Sequence, residues 1–299
     1  MTRAAVAFIL ILLVACASAP PAGDVCTACH QPVAASRVEF DGRPYHPACF
    51  ERAGPRCGVC GKALSGSRVI AFGPDHDYHE ACWTAAPRCE VCGFPAESER
   101  GPATTLSDGR RTCVECSLTA VNDSTKAQSA LLEARSLLAS ELGLELGAIQ
   151  VPVALVSRQK LLEQAAEVGE PAIQALTVAR EEAASGDGAR GARGYRIVVL
   201  HGIPRRSLVA ILGHELFHVL QCEASPAERD PALREGSANY IQVVLLRAQG
   251  EEPRARLLES VSDSTYGKGL RRFEQLVRAR GRTEALSLGL RAVAFPEGF

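Results

Sequence analysis

The chain has 299 residues, 46% of them hydrophobic, with 33 lysines and arginines set against 34 aspartates and glutamates. That composition supports at least one full-sized core and excludes a disordered chain. Its near-zero net charge offers no general attraction to a phosphate backbone, which argues against a nucleic-acid partner.

Met1-Thr2-Arg3 precedes an uninterrupted apolar run over residues 4–14 and then Ala15-Cys16, the layout of a bacterial secretory signal. The run is too short to span a bilayer. Leu13-Val14-Ala15-Cys16 reads as a lipobox, cut before Cys16 so that this cysteine takes a lipid. An exported lipoprotein on a membrane, in the periplasm or at the cell surface, is expected; cleavage near Ala19 or an uncleaved anchor are the alternatives. Residues 1–16 are thus assigned to the signal and 17–25 to a short extended tether.

Ten of the twelve cysteines fall between residues 26 and 116, in three four-ligand sets. They are Cys26, Cys29, His46 and Cys49; Cys57, Cys60, His79 and Cys82; and Cys89, Cys92, Cys113 and Cys116. A CxxC pair lets one tight knuckle aim two sulfurs at one ion, and the distant HxxC or CxxC pair closes the tetrahedron. Four ligands leave no open position, so about three structural zincs are expected, each holding a module too small for a core of its own. Gly58, Gly61 and Gly93 are placed to form the knuckle turns. The alternative is a disulfide framework, which export would permit. It gives no reason for His46 and His79 at matching places in two sets.

With Trp83 after the last ligand, sets one and two resemble a LIM domain, a paired zinc module that binds proteins. Residues 26–82 are read as that double module and 83–117 as a third LIM-like finger. One departure is that seven residues, not two, separate Cys49 from Cys57.

From residue 118 onward cysteine almost vanishes and helical periodicity takes over, so 118–299 is read as a second kind of domain, α+β in class. Residues 122–124 offer caps for a helix over 126–142. A strand is expected over 149–156, a helix over 159–168, a loop over 186–194 and a strand over 195–200. Pro204 then opens a helix containing His214-Glu215-Leu216-Phe217-His218. Two histidines four apart share one helix face and can reach a single ion. Glu215 beside them could take a proton from a metal-bound water and later protonate a leaving amine. A catalytic zinc needs a third ligand, and no histidine follows His218. A carboxylate remains: Glu235, early on the next expected helix, is preferred over Glu223, Glu228 and Asp230 in the intervening loop, the alternative being a solvated helix-start glutamate.

Leu233-Arg234-Glu235-Gly236-Ser237-Ala238 resembles the NEGxA segment of gluzincin peptidases, where this glutamate is the metal ligand. Thr265-Tyr266-Gly267-Lys268-Gly269 resembles their YxKG segment, which implies Tyr266 as a catalytic donor to the developing oxyanion; His201 is the second candidate. The joint order is more specific. Cys89, Asp108-Gly109-Arg110, Cys113 to Cys116, 151–156, Gly202-Ile203-Pro204-Arg205, His214 to His218, Glu235-Gly236 and Tyr266-Gly267 are similar in order to the plant LIM-domain peptidases of the DA-one family. That resemblance implies a zinc peptidase acting on protein or peptide substrates, with the LIM-like part recruiting substrate or a protein partner, and one catalytic zinc beside the structural ones. Arg234 stands where that family often has an acidic residue. The competing reading is a LIM-type binding protein whose peptidase domain is inactive or latent; a third makes the HExxH site a purely structural zinc. Endopeptidase and aminopeptidase action stay open, and Cys222 is expected to be a buried thiol.

Overall fold

In the computed structural model, which describes residues 24–33, 36–65, 69–73, 75–168, 174–181, 193–224, 228–262 and 265–299, all three cysteine sets share one local build. A knuckle carries the CxxC pair, a short hairpin follows, and a helix carries the last cysteine. Cys16, the signal, nearly all of the tether and most of the expected 186–194 loop lie outside the described residues. Among the described residues, no helix is long and apolar enough to cross a membrane.

The chain divides into two compact units between Pro55 and Arg56, inside the segment read as the double module and within its long spacer. In the first unit, β1 (Val38–Phe40) and β2 (Arg43–Tyr45) form the hairpin and α1 (Pro47–Ala53) carries Cys49. Its small core is Phe50, packed edge-on against Tyr45 at 5.2 Å.

The second unit begins with β3 (Val69–Ala71), β4 (Asp77–His79) and α2 (Glu80–Ala85), which holds Cys82. Next come β5 (Thr104–Thr105), β6 (Arg111–Thr112) and α3 (Val114–Leu118), which holds Cys116. Phe72, Tyr78, Trp83 and Phe94 interlock between these two modules, and the Arg88 guanidinium lies 3.6 Å over the Trp83 ring. Gly61 and Gly93, each directly after the second knuckle cysteine, are left-handed, as is His30 at the same place in the first set. Gly58 is not. Its constraint is space, since a Cβ there would stand 2.9 Å from the Tyr78 ring.

Past β7 (Ala120–Val121), Asp123 caps α4 (Ser124–Leu142) by accepting the Lys126 N–H, and Gly143 ends it in the left-handed region. β8 (Val153–Val156) is four residues shorter than expected: its ladder begins after Pro152, which has no N–H to donate and offers only its carbonyl to Ile197. After α5 (Arg158–Val168) come β9 (Ala175–Glu181), absent from the sequence expectations, and β10 (Arg193–Leu200). β10 is the central strand, parallel to β8 and antiparallel to β9.

β11 (Ile203–Pro204) pairs with β7, so Pro204 sits on a short ladder and the helix it was expected to open, α6 (Arg205–Ala224), starts one residue later. α6 is buried without interruption from Leu208 to Phe217, the mark of a central helix enclosed on all sides. It packs under α4 and β9 and against α7 (Pro231–Ala248), which Asp230 caps. Asp230 and Glu223 are thereby engaged elsewhere, Glu223 lying in the last turn of α6 and accepting from the Tyr195 hydroxyl. Cys222, on the same turn, is half-buried rather than enclosed. The chain closes with α8 (Glu252–Glu259), α9 (Tyr266–Arg280) and α10 (Arg282–Arg291). One core runs from Cys89 and Cys116 of the third set through the sheet to α9.

The finger and helical parts of this unit are joined by charge as well. Asp108 accepts from Arg110 Nε and from the Arg158 N–H, with His201 Nε2 3.3 Å from its Oδ2, while Arg110, 1% exposed, donates to the His201 carbonyl at 2.6 Å. Arg254 of α8 reaches Cys116 Sγ at 3.9 Å, Glu251 at 3.4 Å and the Ser207 hydroxyl of α6.

Where α7 crosses α9 the backbones touch. A Cβ on Gly236 would lie 2.3 Å from the Gly269 carbonyl carbon, and one on Gly269 would lie 2.3 Å from the Ala232 oxygen. Gly236→Ala should therefore destabilise the second unit by about 3 kcal/mol. Urea unfolding should show a lower midpoint at unchanged slope; a midpoint equal to wild type would contradict the contact.

Candidate metal centre

The ligand atoms of each finger set, Sγ and Nδ1 in the first two and four Sγ in the third, lie close enough for one ion. Cys29 and Cys49 Sγ stand 3.4 and 3.8 Å from His46 Nδ1, and Cys60 and Cys82 Sγ stand 3.5 and 3.9 Å from His79 Nδ1. His46 Nε2 pairs with the Pro32 carbonyl and His79 Nε2 with that of Ala63; this bond fixes the tautomer that leaves Nδ1 for a metal. Burial opposes ionisation of the knuckle thiols, but backbone N–H groups outweigh it, bringing Cys26 to about 6 and Cys57 to about 7. In the third set Cys92 and Cys113 Sγ stand 3.8 Å apart. These clusters suit zinc and sit in modules of the zinc-finger kind, and they precede a mixed region of helix and sheet.

A fourth group lies in that later region. His214 and His218 project from successive turns of α6, and Glu235 faces them from the second turn of α7. The His214 and His218 Nε2 atoms are 3.0 Å apart, and Glu235 Oε2 is 3.5 Å from each. A tetrahedral ion with ligand bonds of about 2.0–2.2 Å separates its ligand atoms by roughly 3.3–3.6 Å, which the two Glu235 distances meet and the histidine pair approaches, so the donor set suits zinc in chemistry and near spacing. Glu228 and Asp230 do not join it among the described residues.

Around this triangle other polar groups are fixed. His218 Nδ1 donates to Gln221 Oε1 at 2.8 Å; Gln221 is oriented by its own amide donating to Ser237 Oγ, the Arg234 carbonyl and the Gly289 carbonyl. The amide cannot turn without losing all three, so Nδ1 keeps its proton and Nε2 faces the metal position. Glu215 is buried beside the triangle, and Thr177 of β9 reaches it, with Oγ1 2.7 Å from Glu215 Oε2 and 3.0 Å from its carbonyl. Neither Gln221 nor Thr177 was anticipated. Gln221 could have been found as the residue three beyond His218 on the same face; Thr177 lies on the strand that the sequence did not announce.

Burial alone would lower His218, but Glu235, with help from Glu215 and Gln221, outweighs it and raises the imidazole to about 9. Burial would likewise raise Glu235, and the two histidines hold it well below the usual carboxylate range. Tyr266 opens α9 one turn before Gly269, the residue that rests on Gly236. His201 is held by Asp108 at 3.3 Å, on the finger side of the unit.

No family model and no solved structure matches the chain. It is 28% identical over 235 residues to Protein DA1 of Arabidopsis thaliana, covering 64% of this chain and 42% of that one. To DA1-related 2 of the same plant it is 27% identical over 279 residues, covering 79% and 51%. A stretch amounting to 26% of the chain is 32% identical over 83 residues to Xenopus laevis Zyxin, covering 11% of that protein. The chain thus spans about half the length of the plant relatives it matches, and a DA1-like relationship is supported.

Without metal, His218 should carry a proton at neutral pH, because its pKa of about 9 lies above the medium. Metal uptake at this site must then expel about one proton, and affinity should fall as pH drops through that range. Calorimetry in buffers of different ionisation enthalpy measures the release; identical affinity at about pH 6.5 and about pH 8.5 would contradict it.

Proposed function

We propose that this protein is a zinc-dependent peptidase with gluzincin-like ligands, in which His214, His218 and Glu235 hold the catalytic metal and Glu215 is the general base. One observation carries the reading: a buried carboxylate stands beside a His-His-Glu triangle of metal-ligand spacing. A structural site would be closed by a fourth protein ligand, and no fourth donor joins this one among the described residues. Zinc bound there would supply Lewis acidity to a water and to a peptide carbonyl.

The protein's own groups then divide the work. Glu215 accepts a proton on the side of the triangle and returns it to the departing amine. Thr177, donating to its carboxylate, fixes the direction from which the base acts. Gln221 keeps His218 in the tautomer that presents Nε2. Tyr266, at the start of the helix that crosses α7 beside Glu235, is the proposed donor to the oxyanion.

The cysteine modules are proposed as structural zinc sites that recruit substrate or a protein partner. The LIM-domain name of a similar rice protein, 26% identical over 234 residues, and the likeness to Zyxin support that role. The division into 26–82, 83–117 and 118–299, and a lipid on Cys16 tethering an exported enzyme, belong to the same proposal.

Glu215→Gln should abolish cleavage of a mixed peptide library, by roughly 10²–10⁴-fold, at unchanged zinc content. Near four zincs with cleavage by neither protein would favour the binding-module reading. Thr177→Val should lower kcat by about tenfold with little change in KM, and Thr177→Ser should restore it.

A further inference from the structure

The two oxygens of Glu235 have different partners. Oε2 faces His214 and His218 at 3.5 Å from each Nε2, whereas Oε1 accepts from Arg234 Nε at 3.1 Å. Arg234 is the residue immediately before Glu235 on α7. Neighbouring residues on a helix point about 100° apart and do not ordinarily meet. Here the arginine reaches its neighbour's carboxylate through Nε. The pair is partly enclosed: the arginine side chain is 35% exposed and that of the glutamate 9%.

We infer that Arg234 is a positioning and charge-tuning residue for the metal centre: it holds Glu235 to ligation through one oxygen and offsets that ligand's charge. This rests on the proposed metal role of His214, His218 and Glu235. A carboxylate with both oxygens free can close on one ion with both and fill a second coordination position. Here one oxygen accepts from the Arg234 guanidinium, so a position stays open for water or substrate. Two neutral imidazoles and the Glu235 carboxylate give the donor set a charge of minus one, which the guanidinium offsets; Glu215 stands outside that donor set. A divalent ion at this site therefore keeps more of its own charge, which strengthens its Lewis acidity and weakens its binding. Outer partners of metal ligands commonly strengthen metal affinity; a cation in that place predicts the opposite sign.

The test uses the full chain with its cysteine sites left zinc-filled and only the weakest-bound metal removed with a mild chelator. His214→Ala should no longer take up that last equivalent; uptake equal to wild type would sink the metal centre itself and this inference with it. If the centre stands, Arg234→Gln should bind zinc about tenfold more tightly than wild type, because the second oxygen is released and the opposing charge is gone. Loaded with cobalt(II), it should show a weaker visible absorption band than wild type, the sign of a higher coordination number. Arg234→Lys, which keeps the charge without the flat donor, should hold the wild-type affinity while its band weakens. Affinity equal to or lower than wild type in Arg234→Gln, with an unchanged cobalt spectrum, would overturn the inference. A wild-type protein that binds metal as described and shows these shifts but cleaves no peptide would leave Arg234's role standing and remove the peptidase reading.

Discussion

Two imidazoles and two carboxylates, three of them buried and His218 partly so, meet at the junction of α6 and α7, and the surrounding structure is arranged to make that burial tolerable. A charge taken out of water must find a partner or change its protonation state. Each of the four has one. Glu235 faces both histidines, His218 is backed by Gln221, and Glu215 is held by a strand hydroxyl. Gln221 is in turn fixed by α7 and by the Gly289 carbonyl of α10. The polar cluster thus ties α6, α7 and α10 together alongside their apolar packing.

Bringing Glu235 within reach of α6 requires α7 to lie close, and α9 must then press on α7 from its other side. Side chains would hold those axes apart. Gly236 and Gly269 remove them at the one place where the spacing matters, directly after the residue that has to meet the histidines. The same economy appears at Gly213, where a Cβ would lie 2.3 Å from a Leu245 methyl. Small residues here set the depth of helix packing, and the depth sets the geometry of the triangle.

Much of this was legible from local pattern. The three cysteine sets, the histidine pair and the capped helices are written in spacings of two to four residues, which local geometry turns directly into shape. Glu235 could be reached by elimination. What escaped notice depends on distant partners. Among its described side chains β9 buries only Leu176 and Val178, and it becomes a strand by pairing with β10 over seven residues; no local signal encodes that pairing, so Thr177 stayed hidden with it. Ile149 and Val151 look like strand residues, yet the proline after them stops the ladder. His201 reads from sequence as a candidate for the cleft, but Asp108, ninety-three positions earlier in the chain, draws it toward the finger.

Arg254 carries a consequence for how the molecule is made. Its guanidinium joins a thiol of the third finger, the carboxylate just before its own helix and the first turn of the helix that bears the histidines. Four thiolates around one zinc carry a net charge of about minus two and give that buried cation its counterpart; four protonated thiols would not. Metal capture by the finger and closure of the helical unit are therefore coupled steps of one maturation. A chain starved of metal would be left open at the seam, presenting its unfinished core to quality-control machinery before the His-His-Glu triangle had been assembled.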